Sequence, residues 1–373
     1  MQITIISGEI GDATSGQSRF GINLAKGLRR LDHQVSICAG SMVPSVESAL
    51  RSNGVEVHSL ARGSEGEARK ARFLTPFSNL GRALAEFARS KTDPDWFVVV
   101  SDAAVGAGKH LEPKRRAFVC NGDLSLLFVH PGFYRSHRNA KRLWALGMST
   151  LMRQNAESAK HYDVLLANSE FTRQFMSYLY ALPFQGVVYP PVDTAQFTPP
   201  SSIGSAGQYV GAMARNASEQ GLDLLTRLAP LTDLRIVGGA EVAGARSLGT
   251  VPEAELVDFY GRARFLAFPV VSEFFGYAIA ESHACGTPVL AYDCCGASEQ
   301  IRHGVNGWLA RTEEDFVDQY RALCTAGVPP EMRSRCRADS ASRSVETSSR
   351  QLLSALGAEG PPSGSPARGS GSR

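Results

Sequence analysis

The sequence lacks a strong charge of either sign, because 39 Lys and Arg residues nearly balance 36 Asp and Glu residues for a formal net charge of +3. Such a balance argues against a nucleic-acid-binding protein. No apolar run approaches the ~18 residues that a membrane-spanning helix needs. The N-terminus has no basic segment before its first apolar run, which predicts a strand and not a signal peptide. We therefore expect a cytoplasmic protein.

Cysteine is also scarce, and its seven positions are an odd number without the spacing of a zinc-ligand set. The adjacent pair Cys294 and Cys295 does not suit a tetrahedral metal site. We expect free thiols that pack as small core residues in a reducing compartment, and no bound metal.

What the sequence does contain is a regular alternation of short apolar segments and amphipathic segments. A chain of 373 residues, 43% hydrophobic and 20% charged, is globular and long enough for two domains of roughly 150–200 residues. The alternation predicts an α/β fold of two facing Rossmann-like, doubly wound domains, each binding ligands at the carboxyl ends of its strands. The predicted strands are 2–6, 34–38, 55–58, 96–100, 116–120, 163–167, 186–189, 208–211, 234–237, 265–268 and 288–292. The predicted helices are 21–31, 80–90, 221–228, 253–261, 277–284 and 313–326.

Two proline-rich segments, at 189–194 and 199–205, mark the domain boundary, since neither a helix nor a central strand tolerates them. The expected domains are an N-terminal Rossmann-like domain at 1–196 and a C-terminal Rossmann-like domain at 197–335. A helix is expected at 336–356, for which a return to the first domain is left open. The tail at 357–373 is rich in Gly, Ser and Pro, which predicts disorder.

The loop after the first strand, residues 8–19, is rich in glycine and leads into a helix. Glycines let backbone amides approach an anion, and a helix N-terminus adds a favourable partial charge. The loop has neither the Walker spacing nor the G-x-G-x-x-G spacing. A flexible connection is therefore an equal alternative to an anion site.

The most informative segment follows the predicted strand 265–268 and contains two glutamates, Glu273 and Glu281. Glu273 precedes the helix, where backbone N–H groups of Gly276, Tyr277 and Ala278 are available to a ligand, and Glu281 lies one to two turns inside it. A carboxylate only accepts hydrogen bonds and so suits a ligand with many hydroxyl groups. The alternative makes Glu273 a helix-capping carboxylate and Glu281 an exposed helix residue. Two phenylalanines before Gly276 favour a ligand pocket.

These residues resemble the retaining GT-B glycosyltransferases, whose hallmark is two glutamates separated by seven residues and followed by A-C-G-x-P-V. The chain reads Glu273-Phe-Phe-Gly-Tyr-Ala-Ile-Ala-Glu281-Ser-His-Ala-Cys-Gly-Thr-Pro-Val. The resemblance covers roughly residues 1 to 325. Other segments in the family's order are Ala167 to Ser169, Tyr189 to Phe197, Val237 to Gly239, Leu248 to Val251 and Gly296 to Gly307.

The resemblance implies transfer of a hexosyl group from a nucleoside-diphosphate sugar to an acceptor hydroxyl, with retention, without a metal and without a cofactor. Glu273 would act on the transferred sugar as the catalytic residue, and Glu281 would hold the ribose. The other implied donor-binding residues are Gly16 and Arg215 at the diphosphate, Thr250 and Val251 near the base, and Phe275, Gly276, Tyr277 and Ala278 along the loop and helix.

The chain departs from the family at two places. The family's phosphate-binding Arg and Lys correspond to Arg215 and Gln220, so that one cation is missing. The family's N-terminal histidine has only the candidates Asp123 and His130. These departures keep open a non-catalytic GT-B protein that binds a sugar nucleotide or a partner subunit. A sugar-nucleotide epimerase would need acid and base residues that we do not identify.

The sequence does not name the acceptor, which a GT-B enzyme can draw from sugars, lipid-linked molecules or small molecules. The basic and aromatic stretch 133–144 fits a peripheral contact with a membrane or an anionic acceptor. It fits an ordinary solvated helix face better.

Overall fold

The computed structural model describes residues 1–10, 16–61, 77–122, 141–199, 207, 209–215 and 221–358. The N-terminal half forms a seven-stranded sheet in which every pair of neighbours is parallel. Its strands are β1 (Gln2–Ile10), β2 (Gln34–Met42), β3 (Glu56–Ala61), β4 (Trp96–Val99), β5 (Arg116–Cys120), β6 (Val164–Ala167) and β7 (Gly186–Val187). Its helices are α1 (Gly16–Arg30), α2 (Pro44–Ser52), α3 (Phe77–Lys91), α4 (Lys141–Ala159) and α5 (Glu170–Tyr180), with a 3-10 helix at Asp102–Lys109.

The C-terminal half forms a second parallel sheet of six strands. Its strands are β8 (Tyr209–Met213), β9 (Leu234–Val237), β10 (Arg246–Ser247), β11 (Ala263–Phe268), β12 (Val289–Tyr292) and β13 (Gly307–Ala310). The helices are α6 (Leu222–Leu228), α7 (Glu253–Arg262), α8 (Tyr277–Ala284), α9 (Cys295–Gln300), α10 (Glu313–Ala326), α11 (Pro330–Ser340) and α12 (Val345–Ala355), with 3-10 turns at Ala229–Leu231 and Ala341–Arg343.

The two sheets share one topology. The strand order is β3-β2-β1-β4-β5-β6-β7 in the first and β10-β9-β8-β11-β12-β13 in the second. In each sheet the strands follow one another outward in one direction from the first strand and then in the other. This reversal in the order of addition lies between β1 and β4 in the first sheet and between β8 and β11 in the second. Each sheet is also flanked by two separate clusters of buried apolar side chains, one for each face. The prediction of two doubly wound α/β domains is confirmed, and the two reversals mark where such sheets bind ligands.

Every predicted strand is present. The largest differences between prediction and structure lie at the ends of elements and in the helices. β1 continues to Ile10, and α1 begins at Gly16 instead of residue 21. The predicted helix at 336–356 is two helices, because Ser344 caps α12 by accepting a hydrogen bond from the Thr347 amide at 3.1 Å. The predicted tail lies outside the described residues from residue 359 onward.

The last helix, α12, lies against α1 of the first domain. Its Leu352 and Leu353 are fully buried in the apolar cluster on that face of the first sheet. A Cβ atom at Gly27 would lie 2.3 Å from the Val345 carbonyl oxygen, so the two helices touch at the backbone. The end of the chain therefore ties the C-terminal domain back to the N-terminal one.

All seven cysteines are free thiols, four of them buried and three half-buried. None of the described helices combines the length and the apolar character that crossing a bilayer requires.

Candidate functional site

The predicted site residues follow the carboxyl ends of the strands at the two reversals. Gly16 opens α1 after β1, Arg215 follows β8, and the loop at 269–276 connects β11 to α8. Both sheets direct these ends toward the contact between the domains, where several pairs of residues from opposite domains meet.

Glu281 is buried, with an exposed fraction of 3%. Its Oε1 forms an ion pair with Arg19, which projects from α1 of the opposite domain. Its Oε2 accepts a hydrogen bond from the Tyr260 hydroxyl of α7 at 3.1 Å. Burial raises the pKa of Tyr260, against a smaller opposing effect of Arg19, so the phenol keeps its proton and remains a donor. The alternative of an exposed helix residue at 281 is wrong.

The first turns of α1 and α8 lie side by side. A Cβ atom at Gly16 would lie 3.4 Å from Cδ2 of Tyr277, the first residue of α8. One turn further along each helix, Arg19 meets Glu281. The two contacts run in the same order along both helices, so both N-termini point to the same end of the contact. Two helix N-termini at one place favour a negatively charged ligand.

Glu273 lies on the loop just ahead of α8 and is half-buried. Its carbonyl oxygen accepts a hydrogen bond from the Gly296 amide at 3.0 Å, which ties the loop to α9. Gly276 then caps α8 with a φ of 88°, a backbone conformation that favours glycine. A Cβ atom at Gly276 would lie 3.4 Å from the Glu273 Cγ, so this glutamate packs beside the start of α8.

The two phenylalanines of this loop do not line a pocket, and that interpretation is wrong. Phe275 is 2% exposed and packs in the C-terminal core, with its ring 5.7 Å from that of Tyr277. Phe274 is 8% exposed and points the other way, into the N-terminal core. Its ring lies 6.0 Å from those of both Phe171 and Phe175. Both rings are therefore held in the cores of the domains, and the Phe275 backbone leads into Gly276 at the start of α8.

A second set of contacts fastens the same loop and α9 to α5. Ser169 caps α5, and its hydroxyl donates to the Phe274 carbonyl oxygen at 2.8 Å. The Glu299 carboxylate, on α9, accepts from the amides of Glu170 and Phe171 at 2.9 and 3.0 Å. A carboxylate at a helix N-terminus satisfies free amides and interacts well with the helix dipole. The domains are thus joined directly beside Glu273.

The remaining predicted residues lie in the C-terminal domain. Arg215 and Thr250 are exposed, and Val251 is half-buried against the C-terminal core. Ala278, half-buried, occupies the first turn of α8. The predictions on Asp123, His130 and Gln220 lie outside the described residues. In the described part of the chain, no three His, Cys, Asp or Glu side chains are grouped so as to hold a metal ion.

The sequence pattern did not lead us to Arg19, to Tyr260 or to the packing of Phe274 in the core of the opposite domain. Arg19 carried a usable signal, because a cation in the first turn of a helix opposes the helix dipole and so needs an anionic partner. Tyr260 carried none, because nothing in the local pattern of α7 indicates the distant residue that its hydroxyl meets.

Two doubly wound domains with matching strand order, joined at the carboxyl ends of their strands, define the GT-B class of protein. Residues 14–196 match the family model described as Glycosyltransferase Family 4, and residues 243–343 match the one described as Glycosyl transferases group 1. The chain therefore belongs to the glycosyltransferases that these two family models describe.

Two curated relatives with the same name match parts of the chain. The D-inositol 3-phosphate glycosyltransferase of Thermobifida fusca is 32% identical over 187 residues, 39% of this chain and 43% of that protein. The enzyme of the same name from Nocardia farcinica is 43% identical over 74 residues, 19% of this chain and 16% of that protein. The matched part of the chain thus spans less than half the length of these relatives.

Similarity to solved structures extends over nearly the whole chain and shows the fold. Anabaena HepE, in complex with UDP-glucose, aligns with a TM-score of 0.68 at 17% identity, covering 96% of this chain and 100% of that one. Sucrose-phosphate synthase from Thermosynechococcus elongatus aligns with a TM-score of 0.72 at 13% identity, covering 94% and 97%.

Proposed function

We propose that this glycosyltransferase moves a hexosyl group from a nucleoside-diphosphate sugar to an acceptor hydroxyl, with retention of configuration and without a bound metal. The observation that carries the proposal is the position of Glu281. This carboxylate is buried between the domains, next to two helix N-termini that face the same point. Acceptors for hydroxyl groups beside an anion site suit a ribose joined to a diphosphate.

In this proposal the donor lies along the first turn of α8. The diphosphate sits at the N-termini of α1 and α8, near Gly16 and the amides of 276–278, with Arg215 approaching from the end of β8. Glu281 holds the ribose, and Thr250 and Val251 border the base. Glu273 holds hydroxyls of the transferred sugar. The complex of HepE with UDP-glucose supports a UDP-sugar as the first donor to test.

The chemistry then depends on position and charge. The bond between the anomeric carbon and the diphosphate oxygen breaks, and the acceptor oxygen bonds to the same face of the sugar. The acceptor proton passes to the departing phosphate oxygen, so no separate base is needed. The protein holds the two substrates in reach of one another and stabilises the charge that develops on the diphosphate. Glu273 contributes if its contacts with the sugar strengthen in the transition state.

The alternative function is a GT-B protein that binds a sugar nucleotide or a partner subunit without catalysis. One specific observation favours it, namely that both oxygens of Glu281 already have partners within the protein. A donor ribose would have to replace at least one of them.

The two functions are separated by incubating the protein with UDP-, GDP- and ADP-sugars and measuring free nucleoside diphosphate. The acceptors should include sugars, a lipid-linked sugar and a phosphorylated polyol, because the curated relatives are named for D-inositol 3-phosphate. We expect release with at least one donor, unchanged by EDTA, and a product with the donor's anomeric configuration by NMR. Binding of a donor without release, with every acceptor, would support the non-catalytic alternative.

A further inference from the structure

The ion pair between Arg19 and Glu281 joins residues 262 positions apart and crosses the contact between the domains. Its side chains are 12% and 3% exposed. A pair buried to this degree is expensive to desolvate, and hydrophobic residues of similar size often replace such pairs without loss of stability. Stability alone therefore explains the pair poorly, which points to a use for the charges themselves.

Positive charge is concentrated around the pair. The N-terminus of each helix acts as roughly half a positive charge, and Arg19 adds one more in the first turn of α1. Glu281 and Glu273, which packs beside the start of α8, offset these charges in the empty protein. A diphosphate that entered where Gly16 and Tyr277 meet would face two helix N-termini and one guanidinium.

The Tyr277 side chain gives an independent sign that a ligand belongs there. Its ring edge lies against Gly16, and its buried hydroxyl has no hydrogen-bond partner among the described residues. A buried hydroxyl without a partner costs free energy unless a ligand or water satisfies it. A polar group beside the two N-termini would do so.

We propose that Arg19 is a binding residue for the donor diphosphate and exchanges partners when the donor enters. In the empty protein its guanidinium neutralises Glu281. On binding, the guanidinium turns to the phosphate oxygens, and Glu281 Oε1 becomes free to accept a ribose hydroxyl. The exchange provides a cation from the N-terminal domain and resolves the competition for Glu281. This inference rests on the donor site proposed above, and extends it to a residue of the opposite domain.

The test is calorimetric binding of pyrophosphate, UDP and uridine to the wild type and to Arg19→Gln. A charge-assisted hydrogen bond is worth enough that we expect affinity for pyrophosphate and UDP to fall about 10- to 100-fold. Affinity for uridine should not fall, because Glu281 is then free of Arg19 and can still accept a ribose hydroxyl. Lys26→Gln is the matched control, because it removes one positive charge about two turns further along α1. It should leave all three affinities close to wild type. Arg19→Lys should recover part of the loss.

Removing Arg19 leaves Glu281 buried without its cation, so a second comparison is made with Glu281→Gln as the starting protein. If Arg19 binds phosphate directly, Arg19→Gln should still weaken pyrophosphate binding in that background. If Arg19 only positions Glu281, no further loss should follow, and the proposal is overturned. Tighter or unchanged pyrophosphate binding in Arg19→Gln also overturns the proposal, since Arg19 would then only hold the two domains together through its ion pair with Glu281. Loss of pyrophosphate affinity in a protein that shows no turnover would leave this inference standing and count against catalysis.

Discussion

Phe274 should be a principal link between the two domains, and Phe274→Ala tests this directly. Its ring is 8% exposed and lies in the core of the opposite domain, 6.0 Å from the rings of Phe171 and Phe175. The fit is close, because a Cβ atom at Gly122 would lie 2.0 Å from this ring. Truncating a buried phenylalanine costs about 3–5 kcal/mol, and a site between two domains can partly close, so we expect about 3 kcal/mol. Phe274→Leu should cost about 1 kcal/mol, since it keeps most of the volume.

The assay is urea unfolding combined with hydrogen exchange measured by mass spectrometry. Phe274→Ala should lower protection on both sides of the contact, in α5 and in the loop at 271–276. Phe316→Ala is the matched control, because Phe316 is fully buried in the C-terminal domain and outside the contact. It should lower protection in that domain alone. A loss below about 1 kcal/mol for Phe274→Ala, or faster exchange confined to its own loop, would refute the linking role.

Two further predictions concern stability at low pH and the phosphate site. Burial, with a smaller effect of Arg343, lowers the pKa of His283 to about 3. Between about pH 6.5 and pH 3, this imidazole is therefore protonated in the unfolded chain and neutral in the folded chain. The free energy of unfolding should fall by up to about 1.4 kcal/mol per pH unit from pH 6.5 toward pH 3. Urea unfolding at several pH values should show a weaker dependence of this free energy on pH in His283→Gln, but not in the exposed control His303→Gln. The same pH dependence in all three proteins would contradict this. Arg215→Ala should weaken calorimetric binding of a nucleoside diphosphate more than that of the nucleoside, and an equal effect on both would remove Arg215 from the phosphate site.

Local pattern was enough to predict eleven of the thirteen described strands and several helices, but it did not indicate β10 or β13. The bounds of α8 and α10 agree with those predicted, because an apolar strand and a glycine precede the first and a threonine cap precedes the second. Pro44 at the start of α2 was a signal for a helix that the prediction did not use.

The destinations of individual side chains could not be predicted in the same way. Phe274 and Phe275 are neighbours with the same chemistry, yet they enter different cores because the loop passes between two domains. Glu281 looked like a residue open to a ligand, and its burial depends on Arg19, which lies far away in the sequence. Periodicity reports which face of an element is buried, but it carries no information about which distant residue covers that face.

The central claim is that the donor lies between the domains, with its ribose on Glu281 and its sugar on Glu273. The most direct measurement is calorimetric binding of the donor found in the panel, and of its free nucleoside diphosphate, to wild type, Glu281→Ala and Glu273→Gln. We expect Glu281→Ala to weaken both ligands about tenfold or more, since a hydrogen bond to a charged group is lost. Glu273→Gln should bind the nucleoside diphosphate like wild type. Unchanged affinity of Glu281→Ala for both ligands would contradict the account.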